Sequence, residues 1–390
     1  MLTFSSFLKE ESEQFGKLKH LEHNEDHVIN NGADGYHRAV SLLKDVHHHI
    51  TKGAGESKIT TKFDGSPSIV FGHHPQTKKF FVATKSAFNV SPKVNYTEAD
   101  IEKNHGHAPG LANKLKEALH NLKKIAPNKG VYQGDLMYSH HEVGKHQGNL
   151  NFTPNTITYT AKEKSPEGEK IKKSKIGVVV HTKYHGPTLE KMSAGFDPDL
   201  HNFKHHPDVN VINHEVDMSK VEHTPENEKK FQHHMALAHK AFSKAHYETF
   251  ASTKPHKEHL NTYINDTVRT GEAPSVKGYR EHLRKKFQKK IDAVKTNKSK
   301  LQKQQELDNH LRHVDEHEHH FKSLFDIHHH LQQAKDALVD SMEKSSDFEH
   351  NVGGERTSGE GFVVTHNGHP TKLVKRKEFS RLNFLKSKNR

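Results

Sequence analysis

Apolar positions along this chain recur with two periods, and the period changes at definable points. In residues 1–50, Phe7, His20, Leu21, Val28, Ile29, Ala39, Leu42, Leu43 and Val46 fall mostly at helical steps. Asn30-Asn31-Gly32-Ala33-Asp34-Gly35 interrupts them, which predicts two short helices. From residue 58 the pattern turns β-branched and aromatic. Ile59-Thr60-Thr61-Lys62-Phe63, Ser68-Ile69-Val70-Phe71-Gly72 and Lys79-Phe80-Phe81-Val82-Ala83-Thr84 read as strands. Residues 98–125 return to a helical stripe through Leu111, Leu115, Ala118, Leu119 and Leu122. Residues 130–137, 156–160 and 176–181 read as strands again, so this stretch is an α+β module.

Residues 191–225 look loop-rich, and strand character then vanishes until residue 346. Phe231, Met235, Ala238, Phe242 and Ala245 step by four and three, as do Tyr279, Leu283, Phe287, Ile291 and Val294. Such narrow apolar stripes predict long amphipathic helices packed as a small bundle or hairpin. Gly353-Gly354 restores strand character, and Asn367-Gly368 between two apolar runs is a strong hairpin turn. The expected organisation is an N-terminal helical segment (1–57), the first part of a core (58–190), a helical insertion (191–351), and the second part with a basic tail (352–390). Excising the insertion leaves about 230 residues, a normal domain size.

Composition narrows the options. The chain has 390 residues, is 31% hydrophobic and has no Trp, so much of it must be solvated helix or loop. It has no run of eighteen apolar residues and no apolar h-region near the start, so neither a membrane span nor a secretory signal is expected. With zero Cys, disulfides, thiol catalysis and Cys-based metal sites are excluded, and a cytoplasmic home is the simplest expectation. The net charge of +12, with 40 His besides, should attract polyanions such as nucleic acid.

Candidate chemistry begins at Lys62-Phe63-Asp64-Gly65. A lysine at a strand end before a tight turn can serve as a covalent nucleophile if burial or neighbouring cations keep its amine neutral. Read alone, the same four residues also describe a polar hairpin with a solvated lysine. Other segments in order change the balance: Thr84-Lys85-Ser86 after a strand, Tyr132-Gln133-Gly134-Asp135, Glu360-Gly361-Phe362-Val363-Val364 and Lys375-Arg376-Lys377.

Together these segments resemble the covalent nucleotidyltransferase superfamily of ATP-dependent DNA ligases, RNA ligases and mRNA capping enzymes, over about 58–185 and 352–380. The resemblance implies an antiparallel-sheet, ATP-grasp-like ligase core carrying a helical insertion. It implies that Lys62 takes AMP from ATP, that Asp64 and Gly65 shape its turn, and that Lys85 and Asp135 hold ribose and phosphate. An aromatic residue on strand 157–159 or 178–181 would stack on the base. Glu360, with Asp135, would hold Mg²⁺ or Mn²⁺, and Lys375 and Lys377 would neutralise the α-phosphate. Two departures stand out. Asp135 replaces the usual Glu, and no OB-fold segment follows Lys377, which favours an RNA ligase-like enzyme over a standard DNA ligase or capping enzyme. Residues 18–90, with His20-Leu21-Glu22-His23, also resemble uncharacterised proteins of large tailed phages, which implies a viral source and the host cytoplasm.

Two further features bear on partners. His47-His48-His49, His140-His141, His205-His206, His328-His329-His330 and the i, i+4 pair His313/His317 invite a metal role, although in so His-rich a chain a solvated helix face competes with it. The stretch from Arg280 to Lys303 is strongly basic, and Arg284, Lys285, Lys286, Lys289 and Lys290 are candidates to track a phosphate backbone, of RNA rather than DNA. The expectation is therefore an ATP-dependent RNA ligase-like nucleotidyltransferase. A DNA nick ligase, a guanylyltransferase or a protein AMP transferase on the same fold remain open. So does a non-catalytic phage nucleic-acid-binding or structural protein.

Overall fold

The computed structural model describes residues 21–378 apart from Asp197, His246 and Ser358. Phe7, His20 and the tail beyond residue 378 lie outside the described residues. In chain order the first elements are α1 (His27–Lys52), β1 (Lys58–Thr61), β2 (Ser68–His73), β3 (Phe80–Ala83), α2 (Glu98–His105), α3 (Pro109–Ile125) and β4 (Val131–Ser139). Then come β5 (Gly144–His146), β6 (Asn149–Phe152), β7 (Thr158–Lys162), α4 (Pro166–Lys173), β8 (Ile176–His185), β9 (Ser193–Phe196) and β10 (Val209–Val211). Six helices follow: α5 (Pro225–Lys244), α6 (Tyr247–Thr253), α7 (Lys257–Thr270), α8 (Val276–Ala293), α9 (Asn297–Glu316) and α10 (Glu318–Met342). The chain closes with β11 (Glu349–Val352), β12 (Glu355–Arg356), β13 (Phe362–His366) and β14 (His369–Leu373). No helix among the described residues is long and apolar enough to cross a membrane.

The chain divides into two units, each discontinuous in sequence. One gathers Thr60–Val216 with Ser346–Glu360; the other gathers Glu22–Ile59, Asp217–Ser345 and the residues from Gly361 onward.

The first unit is α+β with antiparallel sheets. Its larger sheet has the order β10-β8-β4-β2-β3, with β9 also on β8, and β10 alone runs parallel to its neighbour. Alternation along these strands makes two faces. One face, with Ile69, Phe71, Tyr132, Leu136, Val178 and Val180, packs on α3 through Leu115, Ala118 and Leu122. Val70, Phe81, Ala83, Val131 and Tyr184 occupy the other face, where Ala87, Phe88, Leu189 and Met192 cover part of it. The second sheet, β12-β11-β7-β6-β5, buries Phe152, Tyr159 and Phe348.

The second unit is mainly helical, around the buried residues Phe321, Phe325, Leu331, Leu338 and Met342 of α10. Thr224, Ser275 and Thr296 accept backbone N–H bonds at the starts of α5, α8 and α9, as helix N-caps do. Lys335 is fully buried and ion-paired with buried Glu25 at 3.0 Å, and Arg376 pairs with Asp26 at 3.1 Å. The β13–β14 hairpin turns through Asn367 and Gly368, both at positive φ, as its sequence predicts.

The structure departs from the sequence expectations in several places. The break in residues 30–35 shrinks to one non-helical residue, Gly32, so α1 is a single kinked helix. The helical stripe over 98–125 is two helices, because Gly106 and Pro109 interrupt it. The segment 191–225 supplies β9 and β10 to the large sheet rather than loop alone.

Candidate functional site

Lys62 is held between two anchored neighbours in the first unit. Thr61 donates its N–H to the His214 carbonyl at 2.6 Å, and Phe63 packs its ring on Tyr159 and Phe348. A strand-like path sends successive side chains to opposite sides, so burying Phe63 turns Lys62 away from that cluster. The Lys62 ammonium meets the Glu360 carboxylate in a close ion pair, with side-chain exposures of 25% and 16%.

Asp64 is built into the loop by three hydrogen bonds. Its N–H donates to the Tyr159 hydroxyl at 2.7 Å. Its carboxylate accepts from Asn155 Nδ2 at 2.9 Å and from the Thr156 N–H at 3.0 Å. The turn before β7 therefore clamps the turn after β1. Burial pushes the Tyr159 phenol well above its ordinary range, and the ring lies 5.5 Å from Phe152 in a stacked pair. A ring so enclosed cannot stack on a base, which removes the 157–159 strand from that role.

Gly65 brings this loop onto β4. A Cβ added there would lie 2.5 Å from Asp135 Cβ and 2.9 Å from Met137 Sδ, so no side chain fits. Ser66 N–H donates to the Leu136 carbonyl, and Leu136 N–H donates to the Pro67 carbonyl, each at 3.0 Å. Asp135 itself is partly buried, with His181 Nε2 3.5 Å from Oδ2.

Register lines up the remaining residue. Ser68 pairs with Asp135, and Val70 pairs with Ala83. Continuing that antiparallel count brings Lys85 level with Ser68, at the same end of the sheet as Asp135. Lys85 is exposed and begins a short helical turn capped by Thr84. Alternation puts Ser68 and Asp135 on the sheet face opposite α3, where covering is partial. Five candidates thus converge: Lys62, Asp64, Gly65, Asp135 and Glu360, with Lys85 at the same sheet end. His181, on the 178–181 strand expected to offer a ring to the base, joins them; Asn155 and Thr156 join without any motif to announce them, a Pro-Asn turn before a strand being their only signal.

Lys375 and Lys377 belong to the second unit. Lys375 is ion-paired with Asp340 at 2.7 Å and Glu378 at 2.8 Å. Although burial opposes it, these carboxylates hold its pKa well above the usual lysine range. That engagement limits the phosphate-neutralising role expected of it. Lys377 has no ion-pair partner among the described residues, and burial pulls its pKa down. On α8, Arg284, Lys285 and Lys289 are exposed, while Leu283 and Phe287 are buried. Lys286 donates to Thr262 Oγ1 at 2.9 Å, and Lys290 lies over the Phe287 ring at 4.6 Å.

A cavity of about 500 Å³ also opens in the first unit, lined by Lys170, Lys173, Phe203, Lys204 and His206. None of the motif residues lines it. The donor chemistry of the motif site suits a hard divalent ion: Glu360 and Asp135 offer carboxylate oxygens, the ligands Mg²⁺ prefers. No curated protein and no solved structure matches this chain. Residues 18–388 match DUF6267, a family of unknown function, and the chain belongs to that family.

Proposed function

We propose that the first unit carries a covalent nucleotidyltransferase centre of RNA ligase type, using ATP and Mg²⁺. One observation carries the reading. Lys62 and Glu360, 298 positions apart, meet as a partly buried ion pair on a loop that closes against Asp135 through Gly65. In this reading the antiparallel sheet face beside Asp135 is a nucleotidyltransferase core, and Lys85 stands at its open end.

The chemistry follows from the residues. The Lys62 amine must be neutral to attack, so its contact with Glu360 has to open and one proton must leave to solvent. The Nζ lone pair forms a bond to the α-phosphorus of ATP. The bond from that phosphorus to the bridging oxygen breaks, and pyrophosphate leaves with the electron pair. Glu360 and Asp135 would hold Mg²⁺, which supplies charge neutralisation on the phosphates. Asp64, clamped by Asn155 and Thr156, keeps the Lys62 loop from moving during the displacement. The N–P bond then breaks as an oxygen of a 5′-phosphate end takes the AMP, and a 3′-hydroxyl attacks that activated end and releases AMP.

Incubation with α-phosphate-labelled ATP and Mg²⁺ should give a covalent, acid-labile adduct, seen as one added AMP in the intact mass. Lys62→Ala should lose it completely, and Glu360→Gln should lose about a hundredfold in rate, the scale of removing one positioned charge from a transition state. A folded wild type that stays unlabelled, or a Lys62→Ala variant that labels equally, removes the assignment. The Lys62–Glu360 pair would then be a structural ion pair. The exposed basic face of α8 would favour a non-catalytic nucleic-acid-binding protein instead.

A further inference from the structure

The histidines of the second unit group in two ways. His256, His259, His310, His313 and His317 pack ring on ring, with His256 stacked on His313 at 5.1 Å. Three of their nitrogens are tied to neighbours. His256 Nδ1 meets the Tyr279 hydroxyl at 2.7 Å, His313 Nε2 meets the Ser252 carbonyl at 2.8 Å, and His317 Nδ1 meets the His313 carbonyl at 2.9 Å. The i, i+4 pair His313/His317 is held in packing contacts, with ring centroids 4.3 Å apart.

His47, His223 and Glu228 differ. Their ligand atoms all lie within 4.8 Å of one another. His47 Nε2 and His223 Nε2 each stand 2.7 Å from the same oxygen, Glu228 Oε2. The other carboxylate oxygen accepts from Gln232 Nε2 at 2.9 Å, which leaves Oε2 turned to the two rings. Both rings are fixed from behind. His47 stacks on Phe231 at 4.5 Å, and His223 Nδ1 lies 2.8 Å from Ser341 Oγ.

That last contact decides the proton positions. Ser341 Oγ donates to the Ala337 carbonyl at 3.0 Å and accepts from Asn227 Nδ2 at 3.1 Å. Its single proton is used, so it accepts from His223 Nδ1–H. A neutral His223 then presents the Nε2 lone pair to a carboxylate oxygen at 2.7 Å. Two lone pairs at that distance repel unless a positive centre, a proton or a metal ion, lies between them. A ring whose far nitrogen is tied back by a hydrogen bond is the usual arrangement of a metal-ligating histidine.

We propose that His47, His223 and Glu228 form a site for one divalent transition-metal ion, with solvent completing a tetrahedron. Two imidazole nitrogens and one carboxylate oxygen suit Zn²⁺ and disfavour Mg²⁺ or Ca²⁺. Metal–ligand bonds of about 2.0–2.1 Å put neighbouring donors roughly 3.3 Å apart. Each imidazole nitrogen needs to move only about 0.6 Å away from Glu228 Oε2, a side-chain movement. Because His47 lies on α1 and Glu228 in the first turn of α5, the ion would staple two segments far apart in sequence, and its binding energy would add to folding stability. This site is independent of the nucleotidyl-transfer reading.

The test uses the full chain without a His-tag, stripped with chelator and titrated with Zn²⁺ or Co²⁺ alone. The expected result is one tight equivalent, the strong visible bands of tetrahedral Co²⁺, and a Tm that rises up to that equivalent. His223→Gln and Glu228→Gln should each weaken that equivalent by roughly tenfold or more, whereas His48→Gln, on the exposed neighbour, should leave it unchanged. Unaltered affinity in both site variants, or only weak multiple binding spread over the surface histidines, overturns the proposal. If either variant misfolds by circular dichroism, X-ray absorption of the one-equivalent wild type decides. Two imidazoles and one carboxylate support the site, and any other ligand set sinks it.

Discussion

At Gly65 a single methyl group is too much. Its Cβ would meet Asp135 Cβ at 2.5 Å and the Leu136 carbonyl at 3.2 Å, and neither partner is the free end of a long side chain. Gly65→Ala should therefore push the Lys62 loop off β4. The expected cost is about 1–3 kcal/mol of stability, typical of overpacking. Labelling by ATP should fall about a hundredfold, because displacement of a reacting group by an ångström costs that much. A thermal melt and an adduct time course check both; wild-type labelling with an unchanged Tm would remove Gly65 from the site. At this scale the sequence was informative where a residue type is rare in its role. Lys62, Gly65 and Glu360 were legible for that reason. Asn155 and Thr156 were not, because a turn residue that clamps a distant carboxylate looks like any other turn residue.

Among the elements, the helices of the second unit carry an acid sensitivity. Burial, then the neighbouring His310, His313 and His259, lowers the pKa of His256 to about 3. Burial, then Lys286, His310 and Lys290, lowers that of His259 to about 4. In the unfolded chain both titrate near 6.5. Between these values the unfolded state binds more protons, so stability rises with pH there. The Tm should hold above about pH 6.5 and fall steadily as the pH drops below it. His256→Gln should flatten that slope while leaving the Tm above neutrality within a few degrees. An equal slope in the variant would show that His256 is not among the groups responsible. The helical periods of α5, α8 and α10 were readable because an amphipathic stripe is a local pattern. The strands β5, β6, β9 and β10 were missed because they are three or four residues long and lack the β-branched and aromatic runs that marked the equally short β1 and β3.

For the whole molecule the excess of 12 positive charges sets the behaviour toward polyanions. Arg284, Lys285 and Lys289 are exposed on one helix and bear no acidic partner among the described residues. Replacing all three with Gln should weaken RNA binding uniformly across sequences. It should lower the slope of log affinity against log salt by roughly two, since each phosphate contact to a single strand contributes about 0.7. Filter binding at several salt concentrations reads this; an unchanged slope, or no binding by the wild type, would remove α8 as a nucleic-acid surface.

Local pattern alone determined the α+β character, the helical run after residue 225, the Asn367-Gly368 hairpin and the order of the motif segments. Each of these depends on neighbours within a few positions, which backbone geometry and side-chain alternation make visible. Tertiary structure alone decided which distant residues meet. Glu360 reaches Lys62 across the whole helical insertion, Tyr159 is enclosed rather than offered to a ligand, and His47 finds His223 and Glu228 while His313 and His317 pack on neighbouring rings. Those pairings come from how strands and helices pack, and packing is a property of shape and volume that no spacing along the chain records.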